Sequence, residues 1–357
     1  MSTAVVCADH DLRFVVRNDM IFETFRLTRR QQMSRRNSIK FLATLSLLAA
    51  MGSVHAQANY PNKAIRLVVP AAPGGAADFF ARLVGPKLAE ALGQSVVIEN
   101  RSGASGTIAA DLVAKSAGDG YTVLIGQSTS VVVAPHMYAK LNYDTRKDLT
   151  PITLVAEIPN VLVVHPSVPV NSVQDLINLG RSKPDTLNYG SSGNGAPTHL
   201  AGEMFEMATG AKIRHVPYRG AGPATNALLA GEVQVMFGPA VAVMPQVRSG
   251  RIKALAVTSA ARSAVAPELP TLAESGLKDF EITSWFGLFV PSGTPAAVVD
   301  KLHRETAKVL RLPDVQERFA KEGATAGGNA PAAFAEFVRA EYDKFGKLVK
   351  SKGITAD

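Results

Sequence analysis

VVPAAPGGAADFFARLVG, residues 68–85, is the stretch from which the rest of the chain can be read. The apolar run Ile65 to Val69 suits a covered strand, Pro70 and Pro73 end it, and Gly74-Gly75 lets the backbone pass close to a bound group. A helix then starts near Asp78. Phe79/Phe80, Leu83/Val84, Leu88 and Leu92 form its apolar stripe, and Gly93 closes it. Gly85-Pro86 interrupts this helix and predicts a kink. Free N–H groups and the positive dipole end at such a strand-to-helix turn favour an anion, by about 0.3–1 kcal/mol when exposed and up to ~2 when partly buried.

The device recurs downstream. Strand Val96 to Glu99 leads into the turn Arg101 to Gly106 and a helix from Thr107. Strand Tyr121 to Ile125 leads into the small polar loop Gly126 to Ser130. Leu187 to Tyr189 leads into Gly190-Ser-Ser-Gly-Asn-Gly195 and a helix from Pro197 to Thr209, stopped by Gly210. Ile213 to Tyr218 leads into Arg219-Gly-Ala-Gly222, with Pro223 at the first position of the next helix. Strands Val233 to Phe237 and Ala254 to Thr258 follow. Alternating strands and helices predict an α/β fold with a parallel sheet covered on both faces. Ser172 with Asp175 reads as a capping box, Thr294-Pro295 as a cap, Pro313 as a helix start, and Asn329 as the residue before the last helix.

Two extended runs, Ile152 to Val164 and Glu281 to Val290, are longer than ordinary strands and lie between regular units, as segments crossing between domains would. They predict one domain of residues 57–157 plus 285–357 and an inserted domain of 158–284. Ahead of these, Ser34-Arg-Arg36 with Lys40, the apolar stretch Phe41 to Met51 and Val54-His-Ala56 give residues 33–56 the form of a signal peptide cut after Ala56. Its route, twin-arginine or general secretory, stays open because Ser38 stands where the twin-arginine pattern prefers Phe. Residues 1–32 have no period and read as an extension or a mis-assigned start, Met33 being the alternative. The expected location is the periplasm.

The net charge of +8 owes much to residues 1–56, which hold eight of the 38 basic and four of the 30 acidic residues. No basic and aromatic cluster points to nucleic acid. Cys7 is the only cysteine, so no disulfide, thiolate metal site or cysteine nucleophile is available downstream. His136, His165, His199, His215 and His303 lack metal-ligand spacing, and no metal or cofactor is expected. The glycine turns lack the Gly-Lys-Ser/Thr ending of a nucleotide loop, and Thr198 stands where a dinucleotide fingerprint needs glycine. Gly190-Ser-Ser192-Gly193 is no nucleophile elbow, and a hydrolase would have to rest on Ser192 with His199. Asp78 reads either as helix-end charge or as a ligand group, Arg219 as a solvated charge or a carboxylate clamp, and Trp285 with Phe286 as hinge packing or a cleft wall.

The ordered segments YPNKAIRLVVPAAPGGAADFFAR, VVIENRSGASGTIAA, GDGYTVLIG, YGSSGNGAPTHLAGEMF, VPYRGAGPATNALLAGEVQVMF, GRIKALAVTS, ELPTLAESG and SWFGLFVPSGTP run from Tyr60 to Pro295 and carry a likeness that covers essentially all of Tyr60 to Gly353. In them the chain resembles the receptor component of tripartite tricarboxylate transporters, the Bug-type periplasmic solute-binding proteins. The resemblance implies a two-domain, type II-like flytrap with two crossing strands at the hinge, holding a small organic carboxylate between its jaws and performing no chemistry on it. It implies delivery to membrane permease subunits, with a periplasmic sensor feeding a signalling partner as the alternative, and a monomer without nucleic acid. Carried over by position, one jaw is Gly74, Gly75, Ala76, Ala77 and Asp78 with Ser128 and Thr129. The other is Ser191, Ser192, Gly193, Gly195, Thr198 and His199, with Tyr218 and Arg219. Relatives often carry Ser or Thr after the glycine pair, where Ala76 and Ala77 offer only backbone donors.

Overall fold

The computed structural model describes residues 60–264 and 266–356; residues 1–56, read from the sequence as an extension and a signal peptide, lie outside them. The chain divides into two compact units, Met1–Tyr60 and Pro61–Asp357, and all that follows belongs to the second. In chain order it contains β1 (Ile65–Val69), α1 (Ala76–Leu92), β2 (Val96–Asn100), α2 (Thr107–Ala114), β3 (Thr122–Gln127), β4 (Leu149–Val164), α3 (Val173–Ser182), β5 (Asn188–Ser191), α4 (Pro197–Thr209), β6 (Arg214–Pro217), α5 (Ala221–Ala230), β7 (Val235–Pro239), α6 (Ala240–Arg248), β8 (Lys253–Val257), β9 (Thr283–Pro291), α7 (Ala296–Leu310), α8 (Pro313–Lys321), β10 (Thr325–Ala326) and α9 (Pro331–Lys352), with short helical turns between some of them.

The strands form one continuous ladder in the order β2-β1-β3-β9-β4-β7-β5-β6, with β10 and β8 also on β4. It is mixed, which corrects the all-parallel expectation. β1 runs parallel to β2 and β3, and β5 parallel to β6 and β7, but β9 is antiparallel to both β3 and β4. The reason is topological: β4 carries the chain out of the first strand group and β9 brings it back, so the two must run in opposite directions. From Leu149 to Pro159 β4 pairs with β9, and from Asn160 to Val164 with β7 on one side and β8 on the other. Along that last part Val161 and Val163 enter one apolar cluster while Leu162 and Val164 enter the other, so the sheet is covered on both faces as expected.

Thr258 ties the two crossings together. Its N–H donates to the Asn160 carbonyl (2.9 Å), its Oγ1 accepts from the Asn160 N–H (3.0 Å) and donates to the Ile282 carbonyl (2.6 Å), and the Ile282 N–H donates to its carbonyl (2.9 Å). Trp285, fully buried, packs against Phe334 and Phe337 and donates from Nε1 to Glu341 on α9 (3.0 Å), which settles it as packing.

Most helix ends follow local chemistry. Ser172 Oγ accepts from the Asp175 N–H (3.1 Å) while the Asp175 carboxylate accepts from the Asn171 N–H (3.0 Å), and Gly93 and Gly210 end their helices in the left-handed conformation. Three local expectations are corrected. α1 runs as one helix through Gly85-Pro86 and is not interrupted there. α5 starts two residues early, placing Pro223 third, still within the turn whose N–H groups lack partners. Thr294 donates back to the Pro291 carbonyl (2.7 Å) instead of capping α7. Asn329 precedes α9 as expected, and its Oδ1 accepts from the Leu154 N–H on the first crossing (2.9 Å).

Asp78 fixes the start of α1. Its carboxylate, nearly fully buried, accepts from the Gly74 N–H, Arg82 Nε and Asn100 Nδ2, each at 2.9 Å. The Arg82 guanidinium beside it, helped by the two neutral donors, outweighs burial and lowers its pKa to about 2.

Two outcomes follow. Thr258→Val, which keeps the shape but strips the hydroxyl from a buried N–H and a buried carbonyl, lowers the unfolding free energy in chemical denaturation by about 2–4 kcal/mol, and Thr258→Ser by less than about 1. Asp78→Asn costs about 1–2 kcal/mol at pH 7. Because the folded state holds this carboxyl below its ordinary value, that difference is full above pH ~4 and vanishes as the pH falls through about 2, which denaturation curves at pH 7 and pH 3 check.

Candidate functional site

The loops that follow β1, β2, β3, β5 and β6 meet β9 around a cavity of about 440 Å³. Its lining comprises Ala76, Ser105, Gln127, Ser128, Thr129, Ser192, Asn194, Ala196, Pro197, Gly220, Ala221, Ser284 and Phe286. None of these is charged. Ala76, Pro197 and Ala221 are the first residues of α1, α4 and α5, so the positive ends of three helices border one space. None of the three helices has a side-chain cap, so the first-turn N–H groups without a backbone partner are available, although Pro197 and Pro223 supply none and the His199 N–H is bonded to the Ala196 carbonyl. The lining also carries Ser105, Ser128, Thr129, Ser192 and Ser284 with their hydroxyls and Gln127 and Asn194 with their carboxamides.

Each wall has a local cause. After β3 the chain enters a π-helical turn, Thr129–Val133, with no intervening loop, and this wider turn presents Ser128 and Thr129 at the strand end. Ser105 belongs to a run of four residues with positive φ, Gly103 to Gly106, that includes Ala104 (φ 46°) and Ser105 itself (φ 56°). Two adjacent non-glycine residues in the left-handed region are strained, and the neighbours hold them there. A Cβ at Gly106 would stand 3.0 Å from the Cβ atoms of Pro70 and Ser130, so this glycine is where three strand-end loops press together. Phe286, with its ring 5.0 Å from that of Phe80, forms an apolar wall of the cavity while Trp285 points to the other side of β9.

Of the residues expected at the site, Ala76, Ser128, Thr129 and Ser192 line this cavity. Gly74 and Asp78 border a different hollow, of about 360 Å³, with Arg82 and Arg318. Gly75 precedes α1 and Ala77 is buried behind Ala76. Arg219 is exposed and Tyr218 half-buried, and it is the next residue, Gly220, that reaches the cavity. Ser191, Thr198 and His199 are buried and support the loop from behind. Thr198 Oγ1 accepts from the Ser192 N–H (2.8 Å) and bonds its hydroxyl (2.9 Å), Ser191 Oγ accepts from the Gly193 N–H (3.1 Å), and His199 Nδ1 accepts from the Gly195 N–H (3.0 Å). The glycine amides of this loop, expected to face a guest, are therefore turned inward. A Cβ at Gly195 would strike Met137, which accounts for that glycine.

The serine and histidine in contact are also not the expected pair. Ser191 Oγ lies 2.6 Å from His215 Nε2, and the His215 ring is flanked by Tyr189 and His199 with no carboxylate hydrogen-bonded to it among the described residues. Ser191 is fully buried, out of reach of any substrate.

Phe286 takes the cleft-wall place that the sequence left open for it, whereas Ser105, Gln127, Asn194, Ala196, Pro197, Gly220, Ala221 and Ser284 line the cavity without having been expected there. Ser105 and Asn194 lie inside turns already singled out as glycine-rich. Ser284 is a small polar residue at alternate spacing with Phe286 on a crossing strand, a pattern that marks one face.

Comparison with known proteins places the chain in a family. A family model described as tripartite tricarboxylate transporter family receptor matches residues 80–354. Protein BugT of Bordetella pertussis is 35% identical over 321 residues, covering 89% of this chain and 98% of BugT. Among solved structures, R. palustris Rpa4515 with adipate is 39% identical with a TM-score of 0.73, covering 83% of this chain and 99% of that one. MatC (Rpa3494) from Rhodopseudomonas palustris with bound malate is 34% identical with a TM-score of 0.69, covering 81% of this chain and 100% of that one. The fold is thus the two-domain α/β fold of periplasmic binding proteins, and the chain belongs to the tripartite tricarboxylate transporter receptor family, among its Bug-type members.

Proposed function

We propose that this protein captures a small organic carboxylate in the cavity bordered by Ala76, Thr129, Ser192 and Ala221 and delivers it, chemically unchanged, to the membrane permease subunits of a tripartite transporter. The observation that carries the reading is the meeting of three uncapped helix N-termini and five hydroxyls in a cavity without a charged side chain. Such a lining solvates an anion with dipoles and neutral donors, each hydrogen bond to the charged oxygen contributing about 1.5–3 kcal/mol. A volume near 440 Å³ suits a guest of the size of adipate or malate, the compounds in the related structures.

The domain division at 57–157 plus 285–357 and 158–284 belongs to the same proposal. Ala76, Ser105, Ser128 and Thr129 then stand on one side of the crossing strands and Ser192, Asn194, Pro197 and Ala221 on the other. A guest bonded from both sides stabilises the closed arrangement more than the open one, which is the condition for ligand-driven closure. The protein acts as a monomer in the periplasm after a signal peptide is cut behind Ala56. Asp78 and Arg82 neutralise each other beside the site, so the carboxylate of Asp78 does not repel the guest.

Titration calorimetry of the purified protein against mono-, di- and tricarboxylates is the test. Binding of at least one dicarboxylate is expected, and no binding across the panel overturns the reading. Ser192→Ala and Thr129→Ala, one on each side, each weaken the bound member about 10- to 100-fold. Arg219→Ala, outside the cavity, changes its affinity less than about 3-fold.

A further inference from the structure

Behind the cavity loop lies a cluster of titratable groups that ligand capture as described does not use. His199 on α4 and His215 on β6 stack with ring centroids 3.9 Å apart and planes 7° from parallel, and the other face of His215 lies on Tyr189 (4.9 Å). Each ring connects to an amide of the loop. The Gly195 N–H donates to His199 Nδ1 (3.0 Å), and the Gly193 N–H donates to Ser191 Oγ, itself 2.6 Å from His215 Nε2.

A donor facing Nδ1 fixes the tautomer: His199 keeps its proton on Nε2, 3.7 Å from Glu203 Oε1. The other groups around the pair are Tyr189, whose hydroxyl donates to Glu203 (2.8 Å), and Lys352 at the end of α9, 2.8 Å from Glu203 and 3.1 Å from Glu206. Burial works to raise the Glu203 pKa, but His199, Lys352 and Tyr189 together lower it to about 2, so it stays a carboxylate wherever imidazoles titrate. Burial, then the neighbouring His199, lowers His215 to about 4, and His215 therefore remains neutral through the same range.

We propose that His199 is a positioning residue for the cavity loop: its ring clamps the Gly195 amide and so sets Ser192 and Asn194 against the cavity. Glu203 beside Nε2 and the stacked His215 ring hold the imidazole in the orientation that aims Nδ1 at that amide. Asn194 passes this positioning on to the guest, because it borders both the cavity and a polar hollow of about 220 Å³ that it shares with His199, Glu203 and Lys352. The consequence for affinity rests on the cavity being the ligand site, whereas the clamp itself does not.

Amide hydrogen exchange of the intact protein, followed by NMR, reads the clamp directly. At pH 7.5 the Gly195 amide of the wild type exchanges at least 10-fold more slowly than in His199→Leu. His199→Asn, whose Oδ1 takes the place of Nδ1, retains the protection. Gly193, held by Ser191, stays protected in these variants and is released in Ser191→Ala, so it reports that the fold is intact. With adipate as the probe, affinity falls at least 5-fold in His199→Leu and stays within about 2-fold of the wild type in His199→Asn. Equal Gly195 protection in wild type and His199→Leu, or loss of that protection in His199→Asn, overturns the proposal; should His199→Leu not fold, His199→Ala takes its place. Failure of adipate to bind the wild type counts against the ligand reading, and the exchange data then judge the clamp alone.

Discussion

The antiparallel pairing of β4 with β9 is the constraint on which the rest depends. β4 belongs to both strand groups, pairing first with β9 and then with β7 and β8, so its sixteen residues fix the register of everything on either side. Burial on both faces keeps water from competing for its ladder, and Thr258 closes the point where the partner changes from β9 to β7 and β8. The strand-end loops are brought to one place by this pairing, because the strands that carry them are all counted from it.

At that place the protein creates positive potential without burying a cation. A buried arginine would first have to be stripped of water, at a cost of several kcal/mol, and would bind any anion strongly. Helix ends and hydroxyls need no such desolvation and act only over the last turn, so orientation and shape decide what fits. Asp78 shows the same economy of charge: its carboxylate is matched by Arg82, Asn100 and the Gly74 amide, and serves to hold the turn that aims α1 at the cavity.

The loop after β5 has a division of labour along five residues. Ser192 and Asn194 look into the cavity, while Ser191 and Gly195 are bonded to the histidine pair behind it and Gly193 is bonded to Ser191. Thr198 joins the two layers, since its hydroxyl holds both the amide and the hydroxyl of Ser192. Geometry at the cavity is thereby set by groups that do not touch it.

Much of this was legible in the sequence wherever the cause was local. Gly93 and Gly210 end helices because only glycine takes the left-handed conformation without strain, and Ser172 with Asp175 caps because the two lie three residues apart on one turn. The long apolar runs gave the crossings, and the glycine turns gave the loops that carry the site. Thr294 misled because a short polar side chain near a helix start has more than one partner within reach, and the Pro291 carbonyl claimed its hydroxyl. The sequence by itself determined the elements, the family pattern and the loops; only the tertiary structure decided which side chains in those loops face the cavity and which turn inward. His199 and His215 stand sixteen residues apart with nothing in their spacing to join them, and they stack because β6 pairs with β5, which ends where α4 is about to begin. Local conformation follows from neighbouring residues, whereas the direction a side chain takes is settled by what the rest of the chain packs against it.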